Sequence, residues 1–457
     1  MKSRSIFEEK SINQLIVLFS FPTICSLVLE SLSSMIDTVF AGHLGNISTI
    51  ALSAMGIINP ILLLLIAAQL IFGVSTSLLI SKRLGENSQE KINNTFKVGF
   101  YSCCISSVSI SLLIFLFENQ ILSVLGASGE VIILAKEYLN IALIFNVFSS
   151  TGYMLVNNIR AFGYPKIEIM VGVISTIINI VFNVIFTFIL NMGIKGIALS
   201  TLISEVFYFG FSIIFLIRKG LWIKKSNFDF KESKEILISL VKIGFVQFLM
   251  QSLNSVSGVS GFIINKVLIK YGSVSYVGAW SICSNINMVI LLPLIGLTQG
   301  VQSVISYFHG SKDKNREDMV KSKIVKYSLI YSICVTVLVY IFSHEILNIF
   351  TEDSNLIMLS IPIIKIVVIT FPLVGLIYTL ITFMQVLGQE SSASKLELMR
   401  QVVLTIPLVI IIPILFSNYN ILNVEPQLAV FFSMPISTIL IIIIYFKKIK
   451  AILKCIL

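Results

Sequence analysis

Charged residues are scarce in this 457-residue chain: they make up 12% of it, against roughly 25% in soluble globular proteins. Hydrophobic residues make up 56%, and they are gathered in runs of about 20 residues or more. Runs of that length suit membrane-spanning helices, whereas a membrane barrel would show alternating segments of about 10 residues. The composition therefore predicts an all-α integral membrane protein.

Residues that carry common enzyme chemistry are also few. Five of the six cysteines lie inside apolar runs and no CxxC pair exists, which argues against a disulfide framework or a zinc ribbon. The three histidines form no HExxH motif, and there is no GxxxxGK[ST] loop for ATP. We therefore expect no enzyme activity and no cofactor. The net charge of +10 comes without basic, aromatic-rich patches, so we expect no nucleic-acid partner, and no obligate protein partner is evident.

The hydrophobic runs form twelve segments, and the charges that flank them predict an orientation. The segments run roughly over 12–40, 50–80, 93–117, 131–156, 166–190, 196–217, 236–263, 276–307, 322–343, 356–386, 398–417 and 427–446. If the N-terminus is cytoplasmic, 28 of the 33 Lys and Arg residues flank the cytoplasmic side and four flank the other side. If one span had been missed, the Lys and Arg residues after it would be assigned to the opposite side of the membrane. We expect a multi-pass protein of the plasma membrane with both termini cytoplasmic.

The two halves of the chain repeat at a constant offset of 225 residues. The segment ILSVLG at 121–126 falls on ILNIFT at 346–351. Each half holds six spans, so the repeat is parallel, with its axis along the membrane normal. We predict a six-helix lobe over 1–217, a cytoplasmic linker over 218–235 and a second, pseudo-symmetric six-helix lobe over 236–457. Two such lobes around a central cleft are typical of secondary transporters.

Two carboxylates interrupt the first apolar run, at Glu30 and Asp37. A charge at the centre of a membrane helix costs about 2.5–3.5 kcal/mol on insertion scales, so such a residue is a candidate functional site. The two acids are seven residues apart and therefore lie about 20° apart around the helix axis. This face of the helix should point at a cavity or at another helix rather than at lipid.

Further polar residues lie within the fifth and sixth spans. Thr176, Asn179 and Asn183 form a stripe on the fifth span, suited to a hydrogen-bond network, to a cation site or simply to contacts between helices. Glu205, on the sixth span, is either a second ionisable site or a residue beside a water-filled region. The seventh and tenth spans carry no acid, and Lys365 is the only base near the middle of a span.

The chain resembles the multidrug and toxic compound extrusion (MATE) family, in its bacterial DinF-like multidrug branch. The resemblance covers about residues 12 to 446 and rests on the order and spacing of several motifs. They are Asp37 with AGHLG at 41–45, GVSTSLLISKRLG at 73–85, NNIRAFGYPK at 157–166, INIVFN at 178–183, GIALST at 196–201, GLTQGVQSVISYFHG at 296–310 and QVLGQ at 385–389.

The resemblance implies a V-shaped pair of lobes that exports organic, often cationic, drugs in exchange for H⁺ or Na⁺. It implies antibiotic resistance as a consequence. It places the coupling site at Asp37, Asn179, Asn183 and Thr201, which would also be the site of a bound Na⁺. Many members have Asp where this chain has Asn183, so Asp37 becomes the main carrier, with Glu30 as a candidate to compensate for the missing charge.

The expected mechanism is a competition between the coupling ion and the drug for deprotonated Asp37. We expect the drug cavity to be lined by Met35, Asn146, Asn157 and Met170, because apolar pockets with a few polar anchors suit amphipathic cations. The alternative is a flippase for lipids or lipid-linked oligosaccharides, of the same wider superfamily. Such a protein would need a basic cavity for phosphates, and the mid-span residues here are mostly acidic or neutral.

Overall fold

The structure, a computed structural model, describes residues 2–223, 229–254, 259–271, 274–351, 353–419, 425–446 and 449–450. The regular secondary structure of these residues is helical, with no strand among them. Eleven of the described helices are long and apolar enough to cross a membrane. A twelfth crossing results if the bent pair Ser354–Val368 and Phe371–Val386 forms one span. The all-α membrane fold predicted from the sequence is therefore confirmed.

By packing, the chain divides into two compact units, Met1–Phe248 with Ser306–Asp313, and Leu249–Ile305 with Lys314–Leu457. The helices up to residue 218 belong to the first unit. They are α1 (Lys2–Glu9), α2 (Ile12–Gly42), α3 (Ser48–Gly85), α4 (Gln89–Leu116), α5 (Glu118–Val124), α6 (Gly129–Ala161), α7 (Pro165–Val184) and α8 (Ile194–Arg218). The predicted lobe boundaries and the linker at 218–235 stay a prediction, and residues 224–228 of that linker lie outside the described residues.

The remaining helices begin with α9, which starts in the first unit and ends in the second. They are α9 (Phe230–Asn254), α10 (Val259–Tyr271), α11 (Val274–Ser311), α12 (Lys314–Ile341), α13 (Ser343–Asn348), α14 (Ser354–Val368), α15 (Phe371–Val386), α16 (Glu390–Leu398), α17 (Thr405–Tyr419), α18 (Pro426–Ala429) and α19 (Ser433–Ile444). The predicted seventh span reached 263; the structure describes α9 as far as Asn254, and residues 255–258 of that span lie outside the described residues. The predicted tenth span bends by 45° before α15, where Pro372 in the first turn cannot donate a backbone hydrogen bond to the preceding helix.

Helix α2 presents an apolar side and a polar side, and the polar side packs against α7, with the two helices running parallel. On the apolar side, Val17, Phe21, Leu32 and Val39 are exposed at helical spacing, as suits a lipid-facing surface. Contacts on the polar side fix the register of the two helices. They join Thr23 to Glu168, Ser33 to Thr176 and Asp37 to Asn183, at 3.3, 3.3 and 3.0 Å. This register places the polar stripes of both helices on one cavity.

Candidate functional site

A cavity of about 500 Å³ lies inside the first unit, among α2, α3, α6, α7 and α8. Along α2 it extends from Thr23 to Thr38, a helix length of about 22 Å. Four carboxylates line it, those of Glu30, Asp37, Glu168 and Glu205. None of the described residues that line it is Lys or Arg. The charged side chains on the described cavity wall are therefore all acidic.

Asp37 belongs to a closed ring of hydrogen bonds with three neutral side chains, which we call the Asp37 ring (Asp37, Asn179, Asn183 and Thr201). The Asn183 amide donates to Asp37 Oδ1 at 3.0 Å and to Asn179 Oδ1 at 3.1 Å. The Asn179 amide donates to Thr201 Oγ1 at 3.1 Å, and the Thr201 hydroxyl donates to Asp37 Oδ2 at 2.9 Å. The structure thus brings together all four residues that the sequence proposed as the coupling site.

Asp37 is buried, with 5% of its surface exposed, and it has no ion-pair partner among the described residues. A third donor, the Tyr138 hydroxyl on α6, lies 3.4 Å from Asp37 Oδ2. Hydrogen bonds to a carboxylate stabilise its charge but do not neutralise it. Asp37 is therefore poised to accept a proton or another cation.

One oxygen of the Asp37 ring has no hydrogen-bond partner among the described residues. Asn183 is fully buried, and its Oδ1 atom is unpaired while its amide nitrogen makes two bonds. One turn further, the buried Thr187 hydroxyl is also unpaired. Unsatisfied buried acceptors beside a carboxylate can serve a bound proton, water or cation.

Glu168, in contrast to Asp37, has a cationic partner. Arg160 Nη1 lies 2.9 Å from Glu168 Oε1, and both side chains are almost completely buried. The same guanidinium donates to Thr23 Oγ1 at 2.7 Å and to the amide oxygen of Asn157. The Arg160–Glu168 pair lies at the Thr23 end of the cavity, and its two charges compensate each other. Glu168 therefore adds little negative charge to the cavity.

Glu30 and Glu205 form a second acidic group in the cavity, which we call the glutamate pair. Glu30 is exposed to the cavity and Glu205 is half-buried. Gln69 lies against Glu30 and Ser149 lies against Glu205, and the Ser149 hydroxyl donates to Gln69 Oε1 at 3.4 Å. Neither carboxylate forms an ion pair among the described residues. Glu205 lines the cavity, a position that fits both alternatives that the sequence left open for it.

Three of the four residues expected to contact the drug line the cavity, and the fourth does not. Met35, 54% exposed, and Asn146 lie on the cavity wall. Asn157 lines it too, but its amide group is engaged by Arg160 and by the Tyr153 carbonyl, at 2.8 Å for the latter. Met170 is 39% exposed on α7 and is absent from the cavity wall.

Sequence reasoning missed Tyr138 and the Arg160–Glu168 pair. Tyr138 is 101 residues from Asp37 and belongs to no polar stripe, so no spacing pattern points to it. Arg160 was counted among the flanking cytoplasmic charges, although it is 2% exposed. In the sequence, the one sign of this pair was that Arg160 and Glu168 are eight residues apart, on either side of Pro165. Lys365 lies in the second unit, with Nζ 5.8 Å from the centre of the Tyr340 ring.

Comparison with known proteins identifies the family. The family model MatE matches the chain twice, over residues 22–185 and 248–411, which together make up more than half of it. The two matches start at nearly the offset of the sequence repeat, which supports that repeat. A multidrug export protein, MepA, of Staphylococcus haemolyticus is 30% identical over 411 residues, covering 90% of this chain and 88% of the relative. MepA of Staphylococcus aureus is 26% identical over 412 residues, covering 90% and 89%.

Solved structures agree on the fold. An outward-facing multidrug resistance MATE family transporter of the MOP superfamily has a TM-score of 0.87, with 22% identity and 99% coverage of both chains. A MOP superfamily transporter from Pyrococcus furiosus, described as having a binding pocket of reversed polarity, has a TM-score of 0.85, with 20% identity and 99% coverage of both chains. The fold is that of a membrane transporter. The chain belongs to the MATE family.

Proposed function

We propose that the protein is a secondary active multidrug efflux antiporter, which exports organic cations in exchange for H⁺ or Na⁺. The observation that carries the proposal is Asp37, a buried carboxylate without a cationic partner, in a cavity that no described Lys or Arg lines. The relatives named as multidrug export proteins support the export of drugs. Transport of this kind is not an enzyme activity and needs no cofactor besides the coupling ion.

The exchange follows from charge balance at Asp37. A bare carboxylate in a poorly hydrated cavity is costly, and the cost falls when a proton, a metal cation or a cationic drug is close to it. Only one of these can occupy the same carboxylate oxygens at a time. Binding the coupling ion at the outer face would therefore release the drug, and losing the ion at the inner face would allow a new drug to bind.

If the coupling ion is H⁺, Asn183 supplies a specific hydrogen-bond acceptor for the protonated Asp37 side chain. Protonated Asp37 has an O–H that must donate, whereas its three present partners all donate to it. A rotation of the Asn183 amide would present its unpaired Oδ1 to that proton. The hydrogen-bond ring, and with it the contact between α2 and α7, would thereby respond to the charge of Asp37.

The sodium-coupled form uses the same side chains. The oxygens of Asp37, Asn179, Asn183 and Thr201 are hard donors of the kind that Na⁺ prefers. With Asn at 183, the ring supplies one carboxylate rather than two, which lowers the affinity for a hard cation. The choice between H⁺ and Na⁺ is an outcome of the transport experiment.

We further propose that the protein resides in the plasma membrane with both termini in the cytoplasm. The asymmetry of Lys and Arg between the two sides supports this orientation, and the bilayer itself is its main macromolecular contact. The flippase alternative has no support in the cavity, because a lipid phosphate there would face carboxylates. A labelled lipid in the transport experiment separates the two functions.

The test is uptake of a fluorescent organic cation into proteoliposomes under separately imposed pH and Na⁺ gradients. We expect gradient-driven uptake by the wild type and none by Asp37→Asn, which removes the charge at nearly constant size. Asp318→Asn, a change at a 57% exposed carboxylate, is the matched control and should transport normally. Normal uptake by Asp37→Asn, or flipping of a labelled lipid without cation uptake, would contradict the proposal.

A further inference from the structure

The cavity presents two separate anionic centres, the Asp37 ring and the glutamate pair, on the same side of α2. Glu30 and Asp37 are seven residues apart, so they stand about 10 Å apart along the helix. On α8, Thr201 bonds Asp37, and Glu205 follows four residues later, about 6 Å along that helix. The two helices therefore carry the two centres at different depths of one cavity.

Aromatic rings flank the glutamate pair and face the same cavity. Tyr153 and Tyr208 line this cavity together with both glutamates, Tyr153 within electrostatic range of Glu30 and Tyr208 within electrostatic range of Glu30 and Glu205. The face of a tyrosine ring attracts organic cations. This chemistry distinguishes the pair from a group of acids that merely binds a metal ion.

Two glycines make the room in which these rings lie. A Cβ atom at Gly73 would stand 2.5 Å from Tyr153 Cδ1, and one at Gly152 would stand 2.9 Å from Tyr208 Cδ1. Real Cβ atoms do not approach ring carbons so closely, so any larger residue would displace the rings. The backbone of α3 and α6 thus shapes the aromatic wall beside the glutamate pair.

We propose that the preferred substrates are organic dications, with one positive charge beside Asp37 and the other beside Glu30 and Glu205. The inference rests on the proposed function, because it names the substrate class of the same cavity. A monocation beside Asp37 leaves both glutamates without a cation, whereas a dication of matching length compensates both centres. Apolar side chains of the cavity wall, among them Leu62 and Ile66 of α3, suit a hydrocarbon spacer.

The test compares two probes of equal length in binding to the purified full-length protein. One is an alkane with a trimethylammonium group at each end and nitrogens about 10 Å apart; the other has a single trimethylammonium group. We expect the wild type to bind the double cation at least about tenfold more tightly, equivalent to about 1.4 kcal/mol. A double cation with a two-carbon spacer, too short to reach both centres, should lose this advantage.

The discriminating variant is Glu205→Gln, with Glu30→Gln as the second variant in case the first does not fold. Each should lower the ratio of dication to monocation affinity about tenfold, whereas Asp37→Asn should weaken binding of both probes. Glu90→Gln, at an exposed residue in the first turn of α4, is the matched control.

The outcomes separate the two claims. A wild type that binds both probes equally well through Asp37, or a Glu205→Gln variant that weakens both equally, overturns the dication preference and leaves the proposed function standing. If neither probe binds and no organic cation is transported, the proposed function and the inference both fail.

Discussion

Asp37 and Glu168 are buried carboxylates on the wall of one cavity, and they differ in what compensates their charge. Glu168 is matched by Arg160 at 2.9 Å, and Thr23 and Asn157 accept further hydrogen bonds from that guanidinium. Asp37 is held by three neutral donors and by no cation among the described residues. The carboxylate on α2 and the carboxylate on α7 therefore differ in their capacity to exchange a bound cation.

This difference shows how one membrane protein can hold a carboxylate with a structural role beside a carboxylate with a role in transport. In a buried ion pair each charge is compensated by the other, and removing either partner leaves an unpaired charge. Neither partner is therefore free to exchange its counter-ion. A carboxylate held only by neutral groups is stable enough to keep its position, and it still gains free energy from any cation that approaches. Variants at the Arg160–Glu168 pair and at the Asp37 ring test the two sides of this comparison.

The largest effect on stability is expected at the matched pair. Arg160→Gln leaves Glu168 buried without its cation, which should destabilise the protein by about 3–5 kcal/mol. Thermal unfolding of the purified protein measures this change. Asp37→Asn should unfold close to the wild-type temperature although it does not transport, so the two variants should dissociate folding from function.

The control for this prediction is the double variant Arg160→Gln with Glu168→Gln. It removes both charges and should recover most of the lost stability, since replacing a buried pair by neutral groups is often nearly neutral. If the single variant already unfolds at the wild-type temperature, the account of the Arg160–Glu168 pair is wrong.

A smaller effect is expected at Asn183, where the family resemblance implies Asp in many members. Asn183→Asp places a second carboxylate within hydrogen-bonding distance of Asp37, where Asn183 Nδ2 now lies 3.0 Å from Oδ1. Two neighbouring carboxylates bind a proton or a cation more strongly than one. The coupling-ion concentration for half-maximal drug displacement should fall roughly tenfold.

Titrating drug displacement with H⁺ at fixed Na⁺, and with Na⁺ at fixed pH, measures this shift and shows which ion it concerns. The conservative comparison is Asn183→Gln, which keeps the amide but lengthens the side chain and adds no charge. An unchanged requirement for both ions in Asn183→Asp would show that residue 183 does not contribute to ion binding.

Much of the fold could be predicted because hydropathy and flanking charge are local properties. Runs of apolar residues predicted twelve crossings, which the described helices supply if the bent pair Ser354–Val368 and Phe371–Val386 forms one span. The bend before α15 follows from Pro372, which is visible in the sequence. The ring of Asp37, Asn179, Asn183 and Thr201 was expected from the family resemblance, and the structure brings these side chains together.

The rest depends on how distant helices pack. Tyr138 reaches Asp37 from α6, and the helical spacing of α2 carries no information about that partner. Met170 was expected in the cavity on its chemistry alone, but the rotation of α7 turns it away from that wall. Glu205 reaches the cavity because Thr201, one turn earlier, is fixed to Asp37.

The most direct test of the central claim counts the cations released when a drug binds. In weakly buffered detergent solution containing ²²Na⁺, proton release and Na⁺ displacement are measured together as a monovalent drug is added. We expect the wild type to release about one cation per drug bound and Asp37→Asn, at drug concentrations that still saturate it, to release none. Release of the same number by Asp37→Asn would contradict the claim that Asp37 is the carboxylate at which drug and ion exchange.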